Sequence, residues 1–137
     1  MPSLAARTEW SRAPAGRPAV RAARLGNSAC HPDRDEAHRR LILALAAVWS
    51  GLSVEALSDG ARGDARLARA RHLACYLGHV GLGLSRARVA LLVGRDRTSV
   101  SYACARIEAE RDEPSFDRDV SRLEAAAQFA ACRGEGA

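Results

Sequence analysis

Apolar residues recur along this chain at intervals of three and four, the period of a helix buried on one side. No stretch alternates with the period of two that a half-buried strand shows. From Asp35 to Ser50 the stripe is Leu41, Leu45, Val48 and Leu52, with Ile42 and Trp49 beside it, and Gly51 supplies a left-handed stop. Ser53 then caps a short turn through Val54, Glu55, Ala56 and Leu57, closed by Asp59-Gly60. After a loop holding Arg62, Gly63 and Arg66, a helix is predicted from about Ala65 to Val80. It buries Leu73, Leu77 and Val80, places Cys75 or Tyr76 at its margin, and ends at Gly81 and Gly83.

Ser85 caps a short helix carrying Val89, Leu92 and Val93, which Gly94 breaks. Two residues later Asp96 caps a longer one, whose buried stripe is Val100, Cys104 and Ile107 with Ala103 beside it. Thr98, Tyr102, Ala105 and Arg106 occupy the opposite face. Pro114-Ser115 opens a last helix bearing Phe116, Val120, Leu123 and Phe129. The pattern predicts an all-α bundle of five to six helices. Within it, the short helix, tight turn and longer helix have the layout of a helix-turn-helix.

Composition sets the limits of this domain. Of the 27 Leu, Ile, Val and Phe residues, only Leu4, Val20 and Leu25 fall in residues 1–34, so the folded domain is expected at 35–131. Residues 1–34, rich in Arg, Ala and Pro, read as a disordered basic arm, although an organellar transit peptide has the same composition. Residues 132–137 read as a flexible tail. The longest apolar run, Leu41 to Trp49, is nine residues, about half of what a bilayer span needs, so no membrane partner is expected.

Charge then changes the picture. All 21 basic residues are Arg, which removes the lysine of a phosphate-binding loop and with it nucleotide hydrolysis; no nucleotide partner is expected. Residues 61–107 carry nine Arg against two acids, a net +7, whereas residues 108–137 carry four Arg against eight acids. Clustered positive charge of this density points to a polyanion.

The four cysteines, Cys30, Cys75, Cys104 and Cys132, form no Cys-x-x-Cys pair, and a reducing cytoplasm is the expected compartment. Cys30, His31 and His38 lack zinc-ligand spacing, so no metal or other cofactor is expected. His72 and His79 read as surface or half-buried side chains. No paired carboxylates and no nucleophile with its base converge on one face, so an enzyme is not expected.

The first turn of the longer helix, Asp96-Arg97-Thr98-Ser99, offers an acceptor, a bidentate donor, hydroxyls and a methyl, the groups that distinguish base edges in a major groove. Asp96 also serves as helix cap. Arg86 and Arg88 read either as solvated charges or as phosphate contacts.

The run Gly94-Arg95-Asp96-Arg97-Thr98-Ser99-Val100-Ser101-Tyr102-Ala103-Cys104, followed by Arg106-Ile107-Glu108, resembles the C-terminal signature of the bacterial replication initiator DnaA, usually Gly-Gly-Arg-Asp-His-Thr-Thr-Val-x-His-Ala. Upstream, Ala68-Arg69-Ala70-Arg71-His72-Leu73-Ala74-Cys75-Tyr76-Leu77 is similar to that family's Ala-Arg-x-x-Ala-Met-Tyr-Leu helix. The resemblance spans about residues 38–125, covers the DNA-binding domain and not the ATPase domain, and extends to small alphaproteobacterial proteins that carry this domain alone.

It implies base readout by Asp96, Arg97 and Thr98, to which the reading of the first turn adds Ser99, and a minor-groove arginine at Arg62 or Arg66. Arg71 and Arg95 match positions of that family that touch or approach phosphates, and Arg86, Arg88, Ser101 and Tyr102 are the further phosphate candidates on the short and the longer helix. Arg97 stands where the family has His, the turn before Arg95 has one Gly fewer, and Ala87-Arg88 replaces the family's Pro-Glu. The expected function is sequence-specific binding of double-stranded DNA in the cytoplasm, at the nucleoid. It would regulate transcription or replication initiation by occupancy, with replication or transcription proteins as further partners. The alternative is a protein-interaction module that keeps the fold without reading bases.

Overall fold

Six α-helices and one π-helical turn make up the computed structural model, which describes residues 32–59 and 63–135; no strand occurs among them. The helices are α1 (Pro32–Ser50), α2 (Val54–Ser58), α3 (Ala65–Tyr76), α4 (Arg86–Val93), α5 (Arg97–Glu110) and α6 (Pro114–Glu135), and the π-helical turn Leu77–Gly81 continues α3. The all-α bundle expected from the periodicity is therefore the fold.

Its limits are wider than the composition indicates. Pro32 opens α1 with Asp33 and Asp35 in the first turn, where a missing N–H costs nothing and carboxylates meet the positive end of the helix. At the other end α6 continues through residues 132–135, which were expected in a flexible tail. The arm up to residue 31, with Cys30 and His31, and residues 136–137 lie outside the described residues.

Short side chains start most of these helices as the sequence predicts. Ser53 accepts from the Ala56 N–H at 3.1 Å, Ser85 from the Arg88 N–H at 3.1 Å, and Asp96 from the Ser99 N–H at 2.6 Å. Asp64 does the same for Leu67 at 3.0 Å. The predicted helix 65–80 changes winding at Leu77. There the ladder widens to five-residue spacing, and the Leu82 N–H donates to the Leu77 carbonyl at 2.8 Å. Gly78 sits where this turn crosses α4, and a Cβ there would lie 3.1 Å from Val89 Cγ2.

The core is built around α3, which packs against α1 and α5. Ile42, Leu73, Tyr76, Leu77, Val89, Val100, Ile107 and Val120 are its largest fully buried side chains. A fully buried Leu or Ile contributes roughly 1.5–3 kcal/mol, so few residues hold much of the fold. A second, alanine-rich cluster of Leu43, Ala46, Ala47, Leu57, Ala70 and Ala74 joins α1, α2 and α3.

Four positions differ from the helical stripes read in the sequence. On α1 the buried face is Ile42, Leu43, Ala46 and Ala47, and Val48 is 81% exposed. On α6, Ala127 is buried and Phe129 is 65% exposed. Ala105, expected on the outer face of α5, is buried. Cys75 and Tyr76, one of them expected at the margin of α3, are both buried, Tyr76 wholly. For Val48, Phe129 and Ala105 the reason is that an alanine-rich helix can approach its neighbour through either of two faces, and the close approach that alanine permits selects the face; the Tyr76 hydroxyl is buried between Glu108 and Arg111.

Candidate nucleic-acid interface

Gly94 ends α4 in the left-handed region, at φ +69°, a conformation that costs a residue with a Cβ about 1–2 kcal/mol. Its N–H and that of Arg95 both donate to the Ala90 carbonyl region at the end of α4, the Arg95 bond at 2.9 Å. One residue further, Asp96 caps α5, so the two helices are joined by a turn of three residues, Gly94 to Asp96.

Asp96 points its carboxylate back at its own helix. The hydrogen bond from the Ser99 backbone, then that from the Ser99 side chain, hold its carboxyl below the usual carboxylate range. Capping is therefore a shown role of this residue, and a base contact would have to share the same carboxylate. Arg97, Thr98 and Ser99 are exposed beside it, as are Arg95 and Arg86. Among the described residues no carboxylate pairs with Arg86, Arg95 or Arg97. Ser101 is half-buried, and Tyr102 is partly exposed, with its ring edge-on to His72 at 5.7 Å between centroids.

The other predicted arginines are used differently. Arg66 donates from Nε and Nη2 to the Ser50 carbonyl at 3.2 and 2.7 Å, satisfying the C-terminus of α1. Arg71 donates to the carbonyls of Leu57 and Ala56, at 3.2 and 3.1 Å, and to that of Asp59, strapping the end of α2 onto α3. Arg88 is neither a solvated charge nor turned towards a ligand: its Nη1 sits 3.1 Å from both carboxylate oxygens of Asp35, tying α4 to α1 with both side chains largely buried. Arg62, the other minor-groove candidate, lies outside the described residues. Of the predicted set, the structure thus brings Arg95, Asp96, Arg97, Thr98 and Ser99 together, with Arg86 on the neighbouring helix.

Two features were not legible in advance. Arg69 stacks over Trp49 and Phe116, at 5.0 and 4.7 Å from the ring centres, and pairs with Glu110 at 2.6 Å. Between α3 and the first turns of α5 there is also a cleft of about 740 Å³. His72 borders it. Burial first, and then the positive charge of Arg106, hold this imidazole's pKa below its ordinary value; Glu110 opposes and Arg95 adds to the effect. Cys75, beneath the cleft, has its thiol pushed up to about 12 by burial, and burial likewise raises Cys104. Neither thiol is a thiolate nucleophile at neutral pH.

Among the described residues, no three His, Cys, Asp or Glu side chains gather to hold a metal ion, and no helix is long and apolar enough to cross a membrane. No protein-family model, curated protein or solved structure matches the chain.

Proposed function

We propose that this protein binds double-stranded DNA sequence-specifically, with the N-terminal turn of α5 in the major groove. It would regulate transcription or replication initiation by occupying its site. The observation that carries the reading is the outward cluster of Arg95, Arg97, Thr98 and Ser99, placed by the Gly94 turn at the start of a helix whose other face is locked in the core. An arginine with no carboxylate partner is available for a guanine edge or a phosphate, and the two hydroxyls can donate or accept. The likeness of residues 94–108 to the DnaA signature supports the same placement and belongs to the proposal. So does a cytoplasmic location at the nucleoid.

In this reading Arg86 and Arg95 hold phosphates, while Arg66, Arg71 and Arg88 act indirectly by fixing α1, α2 and α4 around the reading helix. Selection from a random duplex pool tests it. An enriched motif that is lost when Arg97 and Thr98 are both changed to Ala supports base readout by α5. A pool that stays flat at low salt overturns it.

A further inference from the structure

The cleft between α3 and the first turns of α5 holds about 740 Å³, within the roughly 300–1,000 Å³ of sites that take small organic molecules. Its floor is apolar, formed by Leu43, Ala74, Cys75, Val93 and Ala103. The charges around it balance. Four guanidiniums, those of Arg39, Arg71, Arg95 and Arg106, line it, and four carboxylates answer them: Glu36 pairs with Arg39 and Glu110 with Arg106, while Asp59 and Asp96 line the cleft themselves. Arg71 is moreover spent on the carbonyls of Ala56, Leu57 and Asp59. An ion of either sign would meet both kinds of charge here, with no net attraction to offset the loss of its water.

One polar group at the cleft is neither charged nor satisfied. The contact of the His72 ring is its edge-to-face approach to Tyr102, with 5.7 Å between centroids, and among the described residues its nitrogens make no hydrogen bond. Burial first, and then Arg106, hold its pKa below the ordinary value, so at neutral pH the imidazole offers one N–H donor and one bare nitrogen as acceptor. The His72–Tyr102 pair gives the cleft an aromatic wall, against which a planar ring packs well. A plain hydrocarbon would cover the floor and leave the imidazole unbonded.

We propose that this cleft binds an uncharged, flat aromatic molecule carrying an amide-like donor and acceptor, its ring lying on Ala74, Cys75 and Ala103 and its polar group at His72. The site does not rest on the DNA-binding reading.

Three probes of one shape test it: 2-naphthamide, 2-naphthoate and 2-naphthylmethylammonium, respectively neutral, anionic and cationic, titrated into the full chain at neutral pH and mapped by backbone amide chemical shifts. 2-Naphthamide should bind saturably at one site, with shifts at His72, Cys75 and Ala103, and each ion at least about fivefold more weakly. Ala68 lines the cleft and is half-buried. Ala68→Trp should fill the cleft and weaken 2-naphthamide at least about tenfold while the far-UV spectrum stays helical. His72→Phe keeps a ring against Tyr102 and removes both nitrogens. It should weaken 2-naphthamide about fivefold and leave 2-methylnaphthalene within about twofold. Arg118→Glu on α6 should change neither.

Absence of saturable 2-naphthamide binding, indifference to Ala68→Trp, or shifts confined to the neighbourhood of Val48 and Phe129 would overturn the site. Either ion binding as tightly as 2-naphthamide would overturn the uncharged occupant. An affinity for 2-naphthamide that His72→Phe leaves unmoved would overturn the hydrogen bond at the imidazole.

Discussion

At the scale of single residues, Arg97 is the position where side-chain chemistry most sharply defines what would be read. A neutral imidazole at such a position can lie against a thymine methyl. A guanidinium presents a donor fork matching the O6 and N7 acceptors of guanine. Arg97 is exposed on the first turn of α5 and is held by no carboxylate among the described residues, so its fork is available. The expected outcome is a preference for G·C at one base pair, converted to A·T by Arg97→His with a swing of about 1–3 kcal/mol. Measuring the binding of duplexes carrying each of the four bases there, with both proteins, checks it. Identical preferences would assign Arg97 to a phosphate.

At the scale of elements, the chain invests its polar groups in fixing helices to one another. Arg111, at the junction of α5 and α6, has a side chain only 7% exposed. It donates to Asp117 at 2.5 Å, to Ser121 at 3.0 Å, to the Tyr76 hydroxyl at 2.7 Å and to Glu124. Tyr76 in turn donates to Glu108 at 2.9 Å. Burial foremost, with the Glu124 and Glu108 carboxylates adding to it, raises the phenol pKa and keeps it protonated.

The network therefore gathers α3, α5 and α6 around one guanidinium. Removing the charge leaves Glu124 and the Tyr76 oxygen without their donor. Arg111→Met should therefore cost about 3 kcal/mol in urea unfolding, while Tyr76→Phe, which removes one hydrogen-bonding hydroxyl and keeps the ring, should cost about 1 kcal/mol. Equal and small losses in both would show that the helices are held by their apolar contacts alone.

At the scale of the whole molecule, net charge overstates the surface available to a polyanion. Of the nine arginines in residues 61–107, Arg62 lies outside the described residues; among the other eight, Arg66, Arg69, Arg71, Arg88 and Arg106 are engaged within the protein, and Arg86, Arg95 and Arg97 face outward. Five phosphate contacts, the number the sequence charge suggests, would give a slope of log affinity against log salt of about −4 to −5. The three arginines that face outward among the described residues of this segment give about −3 by themselves. Binding measured from low to moderate salt distinguishes these values, and a slope near zero would remove the electrostatic basis of the proposal.

Acid should act on the fold as a whole. Burial holds both His72 and His79 below the ordinary 6.5. In the window between the folded and unfolded values the unfolded chain binds more protons. Stability is therefore full above pH 6.5 and declines as the pH falls through that window. His72→Phe should flatten this decline in unfolding experiments at pH 7.5 and 5.5, and an unchanged slope would show that His72 titrates alike in the folded and unfolded chain.

The sequence by itself determined the class of fold, the order of the helices and most of their boundaries. Those features are written within a few residues of one another: a period of 3.6 in the apolar positions, Ser53, Ser85 and Asp96 as caps, and Gly94 as a stop. The juxtaposition of Arg95, Arg97, Thr98 and Ser99 was legible for the same reason, since one helical turn places them.

Tertiary structure decided two other matters. It chose the buried face of the alanine-rich helices, turning Val48 and Phe129 outward in favour of Ala47 and Ala127, because small side chains leave two faces of similar hydrophobicity and only the partner helix discriminates between them. It also assigned each arginine. Arg71 and Arg88 look alike in a sequence of 21 arginines, yet their partners lie at Leu57 and Asp35, 14 and 53 residues away. The cleft formed by α3 and α5 arises in the same way. A guanidinium takes whichever carbonyl or carboxylate the packing brings within reach, and that proximity exists only once the helices have docked.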